Sequence, residues 1–272
     1  MKQIFTVANK EFHDGLRNRW LVSITLIFAL LSIGLTYFGA AASGAVGVTS
    51  LSTTVASLAS LAVFLIPLIA LLLSYDSFVG EQESGTLLLL LTYPLSKSQL
   101  LLGKFIGQGS IIALATLLGF GASAVLLYFQ LGDADIFSAF GLFIISAILL
   151  GLSFTAISYL ISLSVSEKSK AAGFALITWF IFALAFDLAL LALLVGVEEG
   201  VTQQGLTQLM MLNPTDIFRL VNLAGLESSD VNGALSVAIN ASLSQGQLLA
   251  TLVAWVVLPL MLAIFIFKKK KL

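Results

Sequence analysis

Apolar residues fall into six long blocks separated by short polar stretches. A helix needs about 20 apolar residues to cross the hydrocarbon core of a bilayer. The blocks at 20–40, 53–74, 105–129, 136–164, 172–195 and 248–267 meet that length. Pro67 marks a kink site in the second. The fourth is long for one crossing, so tilt or an interfacial end is expected. The expected fold is all-α, a polytopic membrane protein with six transmembrane helices forming one membrane domain over 1–272.

The polar stretches have their own patterns. In 1–19, Ile4, Phe5, Ala8, Phe12 and Leu16 recur at helical spacing, with Lys10, Asp14 and Arg17 opposite. This reads as an amphipathic helix in the membrane interface or a short soluble cap on the first span. Segment 41–52 is an uncharged turn and 130–135 a short acidic loop. Segment 75–104 is too polar at its ends to cross a bilayer and too apolar in its centre for an ordinary loop. Glu81, Glu83 and Gly85 precede the block from Thr86 and Leu87 to Leu91, which is expected to form a short helix ended by Pro94. Segment 196–247, roughly fifty residues, is longer than a plain connection requires. Within it, Asn213-Pro214 marks a turn, and Thr215 or Asp216 is expected to cap the helix that follows. Asp216 and Arg219 are spaced to pair on that helix.

Charge sets the orientation. With both termini inside, every lysine and arginine except Arg219 falls in an inner segment, as the positive-inside rule requires. The stretch 75–104 is then cytoplasmic, and 196–247 lies outside. Composition agrees with a lipid setting: 59% of residues are hydrophobic, 10% are charged and the mean hydropathy is +1.07. No basic patch implies nucleic acid. A cleavable signal peptide is not expected, because the first apolar block starts only at Trp20 and lacks a small-residue cleavage site.

Chemistry narrows the reading further. The chain has no cysteine and one histidine, His13, which argues against thiol catalysis, a zinc hydrolase or a side-chain relay for soft metals. No GxxxxGK[ST] loop is present, so ATP hydrolysis is not expected in this chain. No bound cofactor or metal is expected. Met210 and Met211 fit apolar packing better than a soft-ligand site. Asp187 is the one carboxylate inside an expected span. It either lines a translocation path or pins two helices together. The external loop is either a docking surface for an extracytoplasmic partner or a cap over a pore mouth.

The run E-x-E-x-G-T-L-x-x-L-L-T-Y-P-L-S-x-x-x-L-L-x-G-K at 81–104 resembles the cytoplasmic motif of type-2 ABC exporter permeases. K-E-F-H-D-G-L-R-N-R-W at 10–20 is similar to the interfacial elbow of that family. Together with L-N-P-T-D-I-F-R-L-V-N-L, these runs resemble the branch that serves maturation of nitrous oxide reductase in denitrifying bacteria. The resemblance implies a homodimer in the inner membrane with a cytoplasmic ABC ATPase that holds ATP and magnesium. It also implies a periplasmic β-helical partner and export of a sulfur-containing species for copper–sulfur cluster assembly. On this resemblance Glu81, Glu83, Gly85, Thr86, Leu87 and Pro94 lie in the ATPase-coupling segment. Glu167 and Lys168 form a second, smaller contact. Asn213, Pro214, Asp216 and Arg219 meet the periplasmic partner. Export of a drug or lipid, and a non-transporting anchor for an assembly factor, remain the alternatives.

Overall fold

The computed structural model describes residues 2–38, 50–196, 203–223 and 244–270. Residues 41–49 of the expected turn at 41–52 and much of the loop at 196–247 lie outside the described residues, and the last two residues of that turn already belong to the second span. Among the described residues all regular structure is helical, and six helices are long and apolar enough to cross a membrane. The first is α2 (Trp20–Phe38). It follows α1 (Lys2–Arg17), whose polar and apolar faces are segregated as the pattern requires. Arg19 turns the chain between them in a left-handed conformation, with φ 59°.

The second span is α3 (Leu51–Ser74), capped by the Ser50 hydroxyl on the Thr53 amide. Pro67 lies inside it and is buried. The stretch expected to carry one short helix carries two, α4 (Val79–Glu83) and α5 (Thr86–Thr92). Gly85 joins them at φ 72°, a conformation that costs other residues about 1–2 kcal/mol. Tyr93 is extended, as a residue before proline must be, and α5 stops there. The third span is longer than its apolar block. Ser96 and Gln99 form a capping box, so α6 (Lys97–Leu131) starts eight residues before Phe105 and carries Lys97 and Lys104 on the spanning helix itself.

Helix α7 (Asp135–Ser164) is the most enclosed span and packs on α3, α6 and the last helix. The fifth span is broken in mid-course. It runs as α8 (Lys168–Phe180), a π-helical turn (Ile181–Ala185) and α9 (Phe186–Gly196). Helices α10 (Gln203–Met210) and α11 (Pro214–Leu223) follow. The sixth span is α12 (Gln245–Lys269).

Two features differ from the pattern-based expectation. Asn213, rather than Thr215 or Asp216, caps α11: its Oδ1 accepts the Thr215 amide at 3.0 Å. The second feature is the depth of α10 and α11. All described positions of α11 except Arg219 are buried, and it packs on α3, α7 and α12. An amphipathic helix flanked by apolar spans buries its apolar face among them, and the Asn-Pro turn separates it from α10. The two helices and the turn between them, termed the hairpin, join the bundle through α11.

Candidate functional site

The bundle end that holds α1, α4, α5 and the starts of α6 and α8 concentrates the charged side chains. Its centre is Lys104, whose residue surface is 2% exposed. Lys104 Nζ lies 2.9 Å from Glu11 Oε1 on α1 and 2.7 Å from Glu81 Oε1 on α4. One buried cation therefore ties the elbow, the stretch after the second span and the third span. A charge this enclosed is tolerated only when paired.

Close helix approach makes the geometry possible. Gly103 and Gly107 form a groove on α6 that receives α1. A Cβ at 103 would sit 2.6 Å from Val7 Cβ, and one at 107 would sit 2.7 Å from the Ala8 carbonyl oxygen. Above Lys104 the polar contacts continue inward. Gln108 Nε2 donates to Ser77 Oγ at 2.8 Å, and the Tyr159 hydroxyl donates to Gln108 Oε1 at 3.0 Å. Ser162 Oγ accepts the amides of Phe78 and Val79, which fixes the start of α4 on α7. A cleft of about 660 Å³ opens beside this joint, lined by Lys10, Glu11, Asp76, Glu81, Lys104 and Lys168 among others. Beside the cleft, burial lowers the affinity of Lys10 for its proton. Glu11 and Asp14 outweigh that and raise its pKa overall.

Glu83 reaches the second expected contact. Its Oε1 accepts the Lys168 amide at 2.6 Å, at the N-terminus of α8, where a carboxylate is favoured by the helix dipole. Lys168 Nζ pairs with Asp76 at 2.7 Å, and Glu167 pairs with Lys170 at 2.6 Å. Glu81 and Glu83 thus face the chain's own helices. Leu87 is buried in one apolar cluster with Phe78, Leu100, Tyr159 and Phe267 and anchors α5. Thr86 and Pro94 are exposed, and the Pro94 carbonyl accepts from Gln3. The outward face of α5 is instead Leu88, Leu89 and Tyr93, between 57% and 64% exposed.

At the other end of the spans, Asn213, Pro214 and Asp216 are buried rather than displayed. Arg219 Nη1 lies 2.5 Å from Asp187 Oδ2 and 3.3 Å from Asp216 Oδ1. The one basic residue outside the inner segments is therefore neutralised by the one carboxylate within a span, and the expected Asp216–Arg219 pair is present. Met210 is buried with Leu206, Ile217 and Leu252 in an apolar cluster. Among the described residues no group of His, Cys, Asp and Glu is placed to hold a metal ion.

Sequence reasoning passed over Lys104, Glu11, Gln108 and the exposed Leu88–Leu89–Tyr93 face. A lysine placed between two glycines of a helix was the available signal for the first.

A charge joint buried beneath an exposed apolar helix thus sits at one end of a six-span bundle. A family profile described as "ABC-2 family transporter protein" matches residues 5–272. The chain belongs to this family, and it is a multi-pass membrane protein and a permease subunit without catalytic function of its own. It is 52% identical to the "Probable ABC transporter permease protein NosY" of Stutzerimonas stutzeri, over 99% of both chains. It is 51% identical to the protein of the same name from Pseudomonas aeruginosa, again over 99% of both.

Proposed function

We propose that this chain is the permease of an exporter that supports nitrous oxide reductase maturation. Two copies form the membrane core, each with a cytoplasmic, NosF-like ATPase that holds ATP and magnesium. A periplasmic β-helical, NosD-like protein engages the outer end. The cargo is a sulfur-containing species used in copper–sulfur cluster assembly. Similarity to the NosY permeases over the full length supports this reading. The positive-inside distribution of lysines supports an inner-membrane setting with both termini in the cytoplasm. Span five supports self-association: 11% of its apolar stretch is buried within the chain, against 61% for α7.

The observation that carries the coupling role is the joint at Lys104. The ATPase receives the apolar face of α5 in a groove. Closure of the ATPases then moves α5, and Gly85, Leu87 and α4 pass the movement to Lys104. From there it reaches α1 and α6 together, while Glu83 carries it to α8 through Lys168. The glutamates act as links within the permease, and the leucines make the contact.

The test is copurification from membranes. Leu88→Asp with Leu89→Asp should abolish recovery of the ATPase while the chain still inserts. Glu81→Lys with Glu83→Lys should retain the ATPase and lose nitrous oxide reductase maturation. Full ATPase recovery with the first pair would sink the docking face. Unchanged maturation with the second pair would sink the coupling route.

A further inference from the structure

The fifth span and the hairpin meet at an irregularity that the coupling role leaves unused. In an α-helix the Phe186 amide would bond to the Phe182 carbonyl. Here it bonds to the Ile181 carbonyl, one residue further back, which widens the turn to a π-helix. The Phe182 carbonyl oxygen instead receives two side chains from the hairpin tip. Asn213 Nδ2 donates to it at 2.9 Å, and the Thr215 hydroxyl lies 3.0 Å away. Both side chains are fully buried. The Thr215 hydroxyl also lies 2.7 Å from Asn213 Oδ1, so its single proton has two acceptors to choose between. On the far side of the tip, Trp255 Nε1 holds the Met211 carbonyl at 3.1 Å. A turn further along the span, Asp187 meets Arg219 of the hairpin.

A π turn is one residue more than an α-helix needs, and it recurs at functional positions in helices. Within a membrane, backbone polar groups freed by such a turn must find partners in the protein. Asn213 and Thr215 supply them. A turn of this kind can take two registers. In one, the hairpin tip holds Phe182 and the turn is π. In the other, the tip is withdrawn, the Phe186 amide returns to Phe182, the extra residue passes along the helix, and Thr215 turns its proton to Asn213. Passage of one residue rotates the outer half of the span by about 100° relative to the inner half. That rotation carries Asp187 and the pair it makes with Arg219.

We propose that the π turn Ile181–Ala185 is a register hinge in span five, and that Asn213 and Thr215 are positioning residues that latch it through the Phe182 carbonyl. The outer half of the span and the hairpin then change state together, while α8 keeps its place on α3. The proposal rests on the permease reading only for its use in transport; the hinge itself is a property of this chain.

The chain has no cysteine, so labelling needs no background substitutions. Spin labels at Phe174→Cys on α8 and Leu191→Cys on α9 would sit on exposed faces roughly 25 Å apart, within reach of pulsed electron resonance. The measurement uses the intact complex in nanodiscs, without nucleotide and with ATP trapped. The parent should give different distance distributions in the two conditions. Asn213→Ser with Thr215→Val keeps a capping hydroxyl and removes both donors to Phe182. It should populate both distributions without nucleotide. Deletion of Leu184 removes the extra residue and leaves the helical registers on either side intact. It should accumulate and bind its ATPase as the parent does, give one distribution in both conditions, and lower maturation at least tenfold. Deletion of Leu176, outside the turn, should prevent accumulation by rotating every later position.

Three results would overturn the hinge: a single unchanged distribution for parent and double variant in both conditions, full maturation by the Leu184 deletion, or failure of that deletion to accumulate. The distance measurement is independent of the cargo. A wrong assignment of the cargo would leave the distance changes in place and remove only the maturation readout.

Discussion

Replacing Lys104 with methionine is the sharpest test of the charge joint. Methionine keeps most of the side-chain volume and removes the ammonium. The loss leaves Glu11 and Glu81 facing one another with side chains 12% and 18% exposed. Removing one partner of a buried pair costs about 3–5 kcal/mol, because the remaining charge stays desolvated. Two carboxylates left together raise that cost by their repulsion, while the adjoining cleft lowers it by admitting water. A net loss of roughly 3–4 kcal/mol is expected. Thermal unfolding of the detergent-solubilised complex should shift down by several degrees. Lys104→Met with Glu81→Gln should recover part of the shift, and adding Glu11→Gln should recover most of it. A neutral triad of similar volume is often as stable as the charged one. Coupling energies below about 0.5 kcal/mol across this cycle, comparable to distant sites, would refute the joint.

Other consequences follow from single residues. Gly85→Ala should destabilise by about 1–2 kcal/mol through backbone strain alone, since open space surrounds its Cβ position, and denaturant titration would register it. Gly107→Val should drive α1 off α6 and cost about 1–3 kcal/mol, with protease cleavage near the elbow rising in parallel. Arg219→Gln should cost about 3–5 kcal/mol, because it leaves Asp187 an unpaired carboxylate within a span. Adding Asp187→Asn should restore part of that stability in the same unfolding assay; no restoration would show that the two residues act separately.

The six spans were legible because the bilayer imposes one length and one composition on each of them. The two-helix build of 79–92 was less so. Gly85 announces a break only once its left-handed conformation is known, and without it Thr86–Leu91 reads as a single helix with a charged approach. The burial of Lys104 was hidden by its neighbours: a lysine at the boundary of an apolar block normally reaches for the interface. Gly103 and Gly107 admit α1 and bring Glu11 close, and α4 brings Glu81, so the ammonium stays inside. Asn213 and Asp216 sit in a segment polar enough to look like surface. Their burial depends on α11 lying against α3, α7 and α12, a long-range packing that no local pattern carries. Asp187 lacked a visible partner for the same reason, as Arg219 is 32 residues away.

The length of α6 has a mechanical meaning. Its 35 residues form a rod of about 52 Å against a hydrocarbon core of about 30 Å. Its described course contains no proline and no wide turn, unlike span five. A stiff rod held by a membrane near its middle behaves as a see-saw. A tilt of about 10° would carry each end roughly 4–5 Å in opposite directions. Whatever draws its Lys97 end inward must throw its Leu131 end outward, so the two ends of the bundle cannot be widened by this helix at once.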